Sequence, residues 1–450
     1  MGMMAGLIQR GVVRISRMKL RFIDPHRREV LAGLGAAAAS LIAGGAGPLV
    51  TAQLALQARA STLALRPGQP ATPISELAAV SHLGDVRLKR GDRCELVFRN
   101  ELPLPLAPVW YGLTGPAMAD QLRGRAPAPP NAAETSIISI SSAGTLLADF
   151  RLFEDGLKQP ARPLPIIAAE TGPVAVDHDE VLLIEEWRLR PDGSAVPPGR
   201  DPTNAAPLYT INGRTSFELS ASVGQRLRLR FINGSQRSVL AIKLESHEVR
   251  VMALDGQPAE PFPARNGALV LAPGARADVF VDAATSAPFL LHDGRAARPI
   301  GNLAISGMLE RAPRSPPQPL PSNDLPEKLD LKGALRFDVA LGAADASWTR
   351  PPSFSTASAP AFRTKVGRTV VLALKNPGPV ATVFHLHGHP FRLLDKLDDG
   401  WKPYWLDTLA IEPGQTQRIA FAASSPGRWL IESVGTDWAA PRLVRWYGVE

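Results

Sequence analysis

Three histidines alternate along one short segment near the C-terminal end of the 450-residue chain, in the run Phe384-His-Leu-His-Gly-His-Pro-Phe391. Side chains two residues apart point to the same face of a β-strand, so His385 and His387 can face one site together. Two neutral imidazoles could hold one copper or zinc ion weakly. A blue-copper centre that takes in electrons needs a cysteine thiolate as well. The only cysteine, Cys94, lies in a distant segment.

The same two histidines have a simpler interpretation, as interior residues that are hydrogen-bonded inside a closed pocket. Beyond the N-terminal extension, the histidines outside this run occur singly, which favours structural or surface roles: His82, His178, His247 and His292. Cys94 lies on a predicted strand and is expected to be a small buried hydrophobic residue. A single cysteine also excludes an intrachain disulfide.

Three segments of the chain repeat a pattern of turn glycine, strand and asparagine at the same spacing. They are 91–100, 224–233 and 367–376, and they begin 133 and 143 residues apart. Each pattern is typical of a half-buried strand that follows a turn. Proline-rich stretches at 160–165 and 311–321 separate the three units, because proline cannot continue a sheet ladder. With few helical periods elsewhere, the sequence predicts an all-β chain of three β-sandwich domains.

These boundaries divide the chain into five predicted parts. An N-terminal extension with an export signal occupies 1–52, the three domains occupy 61–170, 174–312 and 331–450, and a proline-rich linker occupies 313–330. Hydrophobic residues make up 45% of the chain, which is enough to fill several sandwich cores.

The formal net charge of +8 is concentrated at the N-terminus. The first thirty residues hold seven basic side chains and two acidic ones, which leaves about +3 on the rest of the chain. This residual charge gives no electrostatic reason to expect a nucleic-acid partner.

The basic N-terminus contains Arg27 and Arg28, followed by an apolar stretch rich in alanine and glycine at 31–50. This arrangement resembles a twin-arginine export signal and implies a periplasmic location. The stretch contains a proline and few large aliphatic residues, so no stable membrane anchor is expected after cleavage. We expect cleavage at the small-residue site Val50-Thr-Ala52, with a cut after Ala60 as the alternative.

Motifs in the second and third units follow one another in a fixed order. They are 209–213, 231–233, 251–256 and 271–280 in the second unit, and 385–391, 405–408, 411–414 and 425–430 in the third. In order and spacing they resemble the middle and C-terminal domains of multicopper oxidases. The first unit is more diverged, but the resemblance covers nearly everything from residue 62 onward. It implies three cupredoxin-like domains, each a Greek-key β-sandwich, in the multicopper-oxidase arrangement.

The resemblance also places the family's copper-ligand positions on this sequence, and most of them carry other residues. The vestigial copper-site pocket that it implies is lined by Val109, Tyr111, Asp149, Arg151, Thr382, His385, His387, Glu432, Ser433, Val434 and Trp438. Only His385 and His387 keep the ligand type, and Ser433 stands where the thiolate belongs. Four-electron reduction of dioxygen needs a thiolate-bound copper and three clustered coppers, so no resident metal or other cofactor is expected.

The charged residues at these positions suggest how a pocket without copper could be filled. Arg151 could supply the positive charge that the metal once supplied, with Asp149 or Glu432 as its carboxylate partner. The alternative is that all three side chains have drifted to solvent at the seam between domains.

Two functions remain open at this stage. The first is a copper-free periplasmic protein that acts by protein-protein interaction or scaffolding, in cell division or envelope maintenance, as a resemblance to FtsP-like proteins implies. Its partner would be another periplasmic protein. The second is an atypical multicopper oxidase or copper-binding oxidoreductase that holds copper at His385 and His387.

Overall fold

β-Strands form nearly all of the regular structure in the computed structural model of this chain. The structure describes residues 50–80, 85–113, 128–150, 152, 157–307, 314–342, 347–351, 354, 358–395 and 400–450. These residues include a short 3-10 turn at Arg265–Gly267 and no helix that is long and apolar enough to span a membrane. The export-signal residues Arg27 and Arg28, and the pocket residue Arg151, lie outside the described residues.

The first third of the described chain forms two sheets. Its strands are β1 (Ala52–Leu63), β2 (Thr72–Ala79), β3 (Val86–Lys89), β4 (Arg93–Asn100), β5 (Val109–Tyr111), β6 (Ala133–Ser139), β7 (Gly144–Asp149), β8 (Ala161–Arg162) and β9 (Leu164–Ala169). One sheet has the strand order β6-β4-β1-β2-β8, and the other has the order β3-β9-β7-β5. Alternate positions of β1 and β4 turn apolar side chains into the core between the sheets.

The middle third forms a second pair of sheets. Its strands are β10 (His178–Leu189), β11 (Ala206–Ile211), β12 (Phe217–Ser222), β13 (Arg226–Asn233), β14 (Leu240–Leu244), β15 (Arg250–Leu254), β16 (Gln257–Pro263), β17 (Ala268–Leu271), β18 (Arg276–Asp282), β19 (Ala287–His292) and β20 (Ala297–Ser306). The two strand orders are β11-β10-β13-β18-β15-β16 and β12-β20-β19-β14-β17.

The last third forms the third pair. Its strands are β21 (Leu335–Ala340), β22 (Arg363–Thr364), β23 (Thr369–Lys375), β24 (Thr382–Leu386), β25 (Arg392–Leu393), β26 (Thr408–Ile411), β27 (Thr416–Ala422), β28 (Gly427–Gly435) and β29 (Arg442–Val449). The strand orders are β21-β23-β27-β25 and β22-β29-β28-β24-β26. The central strand β24 carries His385.

The three sheet pairs share one pattern of strand pairing. In each, the predicted repeat strand (β4, β13 or β23) pairs in parallel with the first strand of its unit (β1, β10 or β21). The predicted all-β architecture of three cupredoxin-like β-sandwiches is confirmed. One boundary differs, because β1 begins at Ala52 and the predicted start of the first domain at residue 61 would cut through it.

The repeated asparagine has the same hydrogen bonds in all three units. The side-chain amide of Asn100 donates to the carbonyls of Leu104 and Ala128, at 2.7 and 2.9 Å. Asn233 and Asn376 each donate in the same way to two carbonyls, one of them four or five residues further along the chain. Each asparagine Oδ1 also accepts the backbone N–H two residues on. The amide therefore closes the loop that follows the strand, a role that a fully buried asparagine can fill.

Residues 50–450 form one compact unit, within which the sheet pairs are in close contact. The largest apolar cluster joins side chains of the first and third pairs, such as Trp110 and Phe384. Gly144 of β7 lies so close to Gly256 that a Cβ on Gly144 would be 2.2 Å from the Gly256 carbonyl oxygen. In the segment before β21, Asn323 exchanges two hydrogen bonds with the backbone of Ala143.

Candidate functional site

β24 and β28 are antiparallel neighbours, and their register sets His385 directly opposite Glu432. β5 of the first sheet pair brings Tyr111 against the same place, so that the Tyr111 and His385 ring centroids are 4.3 Å apart. The His385 and His387 ring centroids are 4.4 Å apart. All four side chains are buried. The structure therefore gathers Tyr111, His385, His387 and Glu432 into one closed site between the first and third sheet pairs.

Glu432 is the centre of the first half of this site. Its Oε1 atom is 2.6 Å from Nε2 of His387, and its Oε2 atom accepts a hydrogen bond from Arg442 at 2.5 Å. The Tyr111 hydroxyl donates to the same carboxylate at 3.2 Å. Burial alone would raise the pKa of Glu432, but Arg442 and then His387 hold it well below its usual value. Glu432 is therefore an ionised, paired carboxylate.

A second arginine and carboxylate pair supports the other histidine. Nδ1 of His385 is 2.8 Å from the Thr408 hydroxyl, which in turn donates to Asp407 at 2.7 Å. Arg276 donates two hydrogen bonds to the Asp407 carboxylate, of 3.0 and 2.7 Å. Burial, and then the neighbouring His387, lower the pKa of His385. His385 is accordingly a neutral, hydrogen-bonded imidazole near neutral pH.

Arg276 and Asp255 connect this half-site to all three sheet pairs. Arg276 belongs to the second pair, binds Asp407 of the third pair, and donates to the Thr145 carbonyl of the first pair at 3.2 Å. Asp255 accepts the backbone N–H groups of Arg276, Asp407 and Thr408. Burial and then the Asp407 charge raise the pKa of Asp255 to about 7, against the lowering effect of Arg276.

The third histidine of the run faces a different neighbourhood. Nδ1 of His389 is 2.7 Å from the Tyr447 hydroxyl, and its Nε2 accepts the backbone N–H of Ser425 at 3.2 Å. The Tyr447 hydroxyl in turn donates a hydrogen bond to the His387 carbonyl at 2.8 Å. Burial lowers the pKa of His389 to about 3. This histidine is a neutral packing residue of the third unit.

The other predicted pocket positions are dispersed around the site. Val109 and Asp149 face each other across β5 and β7, and Val109 joins an apolar cluster with members from all three sheet pairs. The Ser433 hydroxyl accepts the Gly342 N–H at 3.1 Å. Val434 packs into the core of the second sheet pair. Thr382 is buried at the start of β24.

Trp438 contacts residues of the second unit. Its indole N–H donates to the Pro197 carbonyl at 3.1 Å, and the Arg188 guanidinium lies 5.1 Å from its ring centroid. It thus fastens the third sheet pair to the second by packing and a hydrogen bond.

One sequence-based expectation about the charged residues needs correction, and the expected pairing of Arg151 stays a prediction because that residue lies outside the described residues. The alternative in which they face solvent is wrong for Asp149 and Glu432, which are each 1% exposed. Among the described residues, the guanidinium that pairs with Glu432 belongs to Arg442, a residue that the sequence analysis missed. Arg442 lies opposite Val434 in the β28–β29 hairpin, and thus one diagonal step from Glu432 on the same face. No local pattern in the sequence signals this pair, because it depends on that strand register.

Comparison with known proteins shows which family the chain belongs to. Models of multicopper oxidase domains match residues 180–308 and 328–447, which together exceed half of the chain. The chain belongs to the multicopper oxidase family.

Individual relatives agree with this assignment. Multicopper oxidase MmcO of Mycobacterium tuberculosis is 25% identical over 417 residues, with 77% of each chain covered. Laccase-7 of Arabidopsis thaliana is 26% identical over 290 residues, which cover 56% of this chain and 49% of the laccase. The crystal structure of a multi-copper oxidase from Pseudomonas thermotolerans superposes with a TM-score of 0.75 at 25% identity, covering 89% of this chain and all of that one.

The multicopper oxidase fold implies copper, and the described side chains around His385 and His387 can be tested against it. A three-copper cluster needs imidazole ligands from several segments. The facing side chains supplied by the first unit and by β28 are Tyr111 and Glu432, and Glu432 is already paired with Arg442. No group of three or more His, Cys, Asp or Glu side chains among the described residues is arranged to hold a metal ion. This donor set does not fit a three-copper cluster.

Cys94 lies on β4 and not on the strands that carry His385 and Glu432. The side chain is fully buried in the core of the first sheet pair, as the sequence predicts, and burial raises the pKa of its thiol to about 11. Of the scattered histidines, His178, His247 and His292 make local hydrogen bonds away from the site, and His82 lies outside the described residues.

Proposed function

We propose that this chain is a copper-independent member of the multicopper oxidase family that acts by binding another protein. The supporting observation is the Glu432 carboxylate, which lies 2.6 Å from Nε2 of His387 and 2.5 Å from the Arg442 guanidinium. A copper ion at His387 would compete with a buried guanidinium for that carboxylate, and the two cations would repel each other at short range. Because side chains occupy the position of the copper cluster, we assign the function of this protein to its surface.

The electron-entry position supports the same proposal. Ser433 is fully buried and its hydroxyl accepts a backbone N–H from Gly342. A serine hydroxyl is not a soft ligand and does not replace the thiolate that a blue-copper centre requires. Without that centre, electrons from a reducing substrate would have no route to a cluster.

We also propose a location and a biological role for this protein. The resemblance of the segment around Arg27 and Arg28 to a twin-arginine signal supports delivery to the periplasm. There the protein would bind or scaffold a periplasmic protein in cell division or envelope maintenance, as FtsP-like proteins are thought to do. This role rests on analogy of fold and export and calls for no cofactor.

A second candidate is an atypical copper-binding oxidoreductase, and one observation favours it. Nδ1 of His387 is buried and has no hydrogen-bond partner among the residues that the structure describes. An imidazole nitrogen in that state is a free ligand for a soft or borderline ion. A single ion held there would permit one-electron chemistry only, because the four-copper arrangement is not supplied.

A rescue experiment separates the two candidates. In the bacterium that carries the gene, a deletion strain under envelope stress would be complemented with the parent chain and with a His385→Gln/His387→Gln double variant. Glutamine keeps a hydrogen bond to Glu432 and is a poor copper ligand. We expect both chains to rescue growth equally and the purified parent to oxidise neither phenols nor cuprous ions. Rescue by the parent alone, with the double variant folded and exported, would support the oxidoreductase.

A further inference from the structure

β6 lies at one edge of the five-stranded sheet of the first unit. It is seven residues long and pairs with β4 in one unbroken register. No described strand lies on its other side. An edge strand of this length and regularity presents a row of backbone N–H and C=O groups with which a further strand can pair.

The hydrogen bonds at the two ends of β6 show which of its residues face away from β4. Beyond one end, Ile140 accepts the Gly91 N–H at 2.7 Å and donates to the Asp92 carbonyl at 2.8 Å. Beyond the other end, the Ala132 carbonyl accepts the Asn100 N–H at 2.9 Å. Backbone groups of successive residues in an antiparallel ladder point alternately to the two sides. The even-numbered residues of β6 are therefore bonded to β4, and the odd-numbered residues turn their backbone groups to the free edge.

β6 lacks the features that protect the other edges of the described sheets. Proteins protect edge strands with prolines, bulges, outward charges or short length. The edge strand β11 contains Pro207, and β16 contains three prolines and a register shift. β12 exposes Glu218 and β21 exposes Arg336, and the remaining edge strands have four residues or fewer. The exposed side chains of β6 are all uncharged: Ala133, Thr135, Ile137 and Ser139.

We propose that a second copy of this chain pairs with β6 through its own β6, in an antiparallel arrangement with two-fold symmetry. The strand is suited to self-pairing, because all seven residues overlap when its middle residue, Ser136, lies opposite Ser136 of the second copy. Ala133 then lies opposite Ser139, and Thr135 lies opposite Ile137. These odd-numbered pairs exchange backbone hydrogen bonds, since their free groups face the partner. A two-fold contact of this kind is closed and therefore gives a dimer.

The side chains of β6 are compatible with this register. On the outer face, Thr135 would lie beside Ile137 of the second copy, a cross-strand pair of β-branched side chains that suits a sheet. Ile137 is 37% exposed in the single chain, and the pairing would cover part of it. Glu134 is the one charged residue of β6 and would lie opposite Ile138, so the two Glu134 carboxylates would not face each other. The inference stands independently of the proposed function, because no residue of β6 belongs to the buried site.

Disulfide cross-linking of the full chain tests the register. The only native cysteine, Cys94, is fully buried, so a cysteine introduced into β6 supplies the only accessible thiol. With oxidised glutathione as the oxidant, Ser136→Cys should form a disulfide-linked dimer. Opposed residues that do not exchange backbone hydrogen bonds have Cα atoms about 4.5 Å apart, which a disulfide can span.

Ser139→Cys is the matched control for cross-linking. Position 139 is more exposed than position 136, but in the proposed register its two thiols would be about 20 Å apart. Non-reducing gels should therefore show the linked dimer for Ser136→Cys and little of it for Ser139→Cys. Equal or faster cross-linking of Ser139→Cys, or none for Ser136→Cys, would overturn the proposed pairing.

Sedimentation equilibrium of the purified full chain tests the contact itself. The parent should approach twice the mass of one chain as its concentration rises. Ile137→Lys places a charge on the edge, and Thr135→Pro removes an N–H that points away from β4. Both variants should stay monomeric at concentrations at which the parent is dimeric, with circular-dichroism spectra like that of the parent.

Val270→Lys is the matched control, because Val270 is an exposed apolar residue on a different sheet. It should dimerise like the parent. Either of the two β6 variants is sufficient for the comparison if the other fails to fold. A parent that is monomeric at every concentration, or folded β6 variants that dimerise as the parent does, would show that β6 does not pair with a second copy.

Discussion

Arg442 and Arg276 each place a guanidinium against a buried carboxylate beside one of the two retained histidines. Arg442 pairs with Glu432 next to His387, and Arg276 pairs with Asp407 next to His385. In both cases the charges balance locally, so the low dielectric of the interior strengthens the pair instead of penalising a lone charge. The two histidines and their charged neighbours therefore form a structural network of hydrogen bonds and ion pairs.

The Arg442 pair can be tested by removing its charges in steps. Arg442→Met leaves the buried Glu432 carboxylate without its guanidinium partner, which should lower the free energy of unfolding by about 3–5 kcal/mol. Adding Glu432→Gln in the same chain should restore part of that loss, because glutamine can still accept from His387 without carrying a charge. Denaturant unfolding of the parent, the single and the double variant measures both effects.

An exposed arginine serves as the control for that series. Arg295→Met should change stability by no more than about 0.5 kcal/mol. If Arg442→Met is equally mild, the guanidinium does not neutralise Glu432. If the double variant is less stable than the single, the pair contributes more than charge balance.

His389 should make stability depend on pH. Its pKa is about 3 in the folded chain and about 6.5 when unfolded, so the unfolded state binds the proton more tightly. The stabilisation is complete above about pH 6.5 and is lost progressively as the pH falls toward 3, at up to about 1.4 kcal/mol per pH unit. His389→Gln should flatten this dependence between pH 7.5 and 5 in urea unfolding. The exposed control His292→Gln should leave the slope as in the parent, and a parent-like slope in His389→Gln would contradict the argument.

At the scale of elements, the three equivalent strands β4, β13 and β23 depend on the asparagines at or just beyond their ends. Each amide supplies two buried carbonyls and one backbone N–H with partners. Backbone groups in a buried loop need such partners, because a buried group without one costs free energy. The same residue has therefore been kept at the same place in three otherwise different units.

Asn233→Leu should expose the importance of this amide. It removes the amide donor from both the Ser238 and the Leu271 carbonyl; Ser238 keeps the Ser235 hydroxyl at 2.8 Å, so the main cost is about 1–3 kcal/mol for the buried Leu271 carbonyl. Thermal or urea unfolding should show a loss of that size. The exposed control Gln69→Ala should be nearly neutral. A loss below about 1 kcal/mol for Asn233→Leu would mean that the loop finds other donors.

The sequence could predict these elements because their pattern is local. A turn glycine, an alternating strand and an asparagine lie within ten residues, so the three units and the pairing of His385 with His387 followed from spacing. The link from Glu432 to Arg442 could not be predicted, because it depends on the register of the β28–β29 hairpin. The link from Arg276 to Asp407 joins residues that are 131 positions apart and is set by how whole sheets meet.

At the scale of the whole molecule, the three sheet pairs meet around Arg276, Gly112, Gly144 and Gly256. A Cβ on Gly112 would be 2.6 Å from an Arg276 nitrogen, and a Cβ on Gly144 would be 2.2 Å from the Gly256 carbonyl oxygen. The approach at Gly144 requires glycine, because real Cβ atoms do not come so close to a backbone oxygen. At Gly112 a Cβ would displace the Arg276 guanidinium.

Gly144→Ala tests this junction, and Gly68→Ala is its matched control. Both glycines have positive φ angles, 136° and 69°, but nothing lies within 4 Å of a Cβ built on Gly68. The control should lose about 1–3 kcal/mol from backbone strain alone. Gly144→Ala should lose substantially more and separate the first sheet pair from the second in scanning calorimetry, as a broadened or split transition. Equal losses for the two variants would show that the contact with Gly256 is easily relieved.

The most direct measurement for the whole account is the copper content of the purified protein after copper loading, determined by elemental analysis per chain. We expect well under one copper per chain, no intense blue absorption, and the same low content in the His385→Gln/His387→Gln variant. One or more coppers per chain in the parent, lost in the double variant and accompanied by oxidation of phenols or cuprous ions, would contradict it.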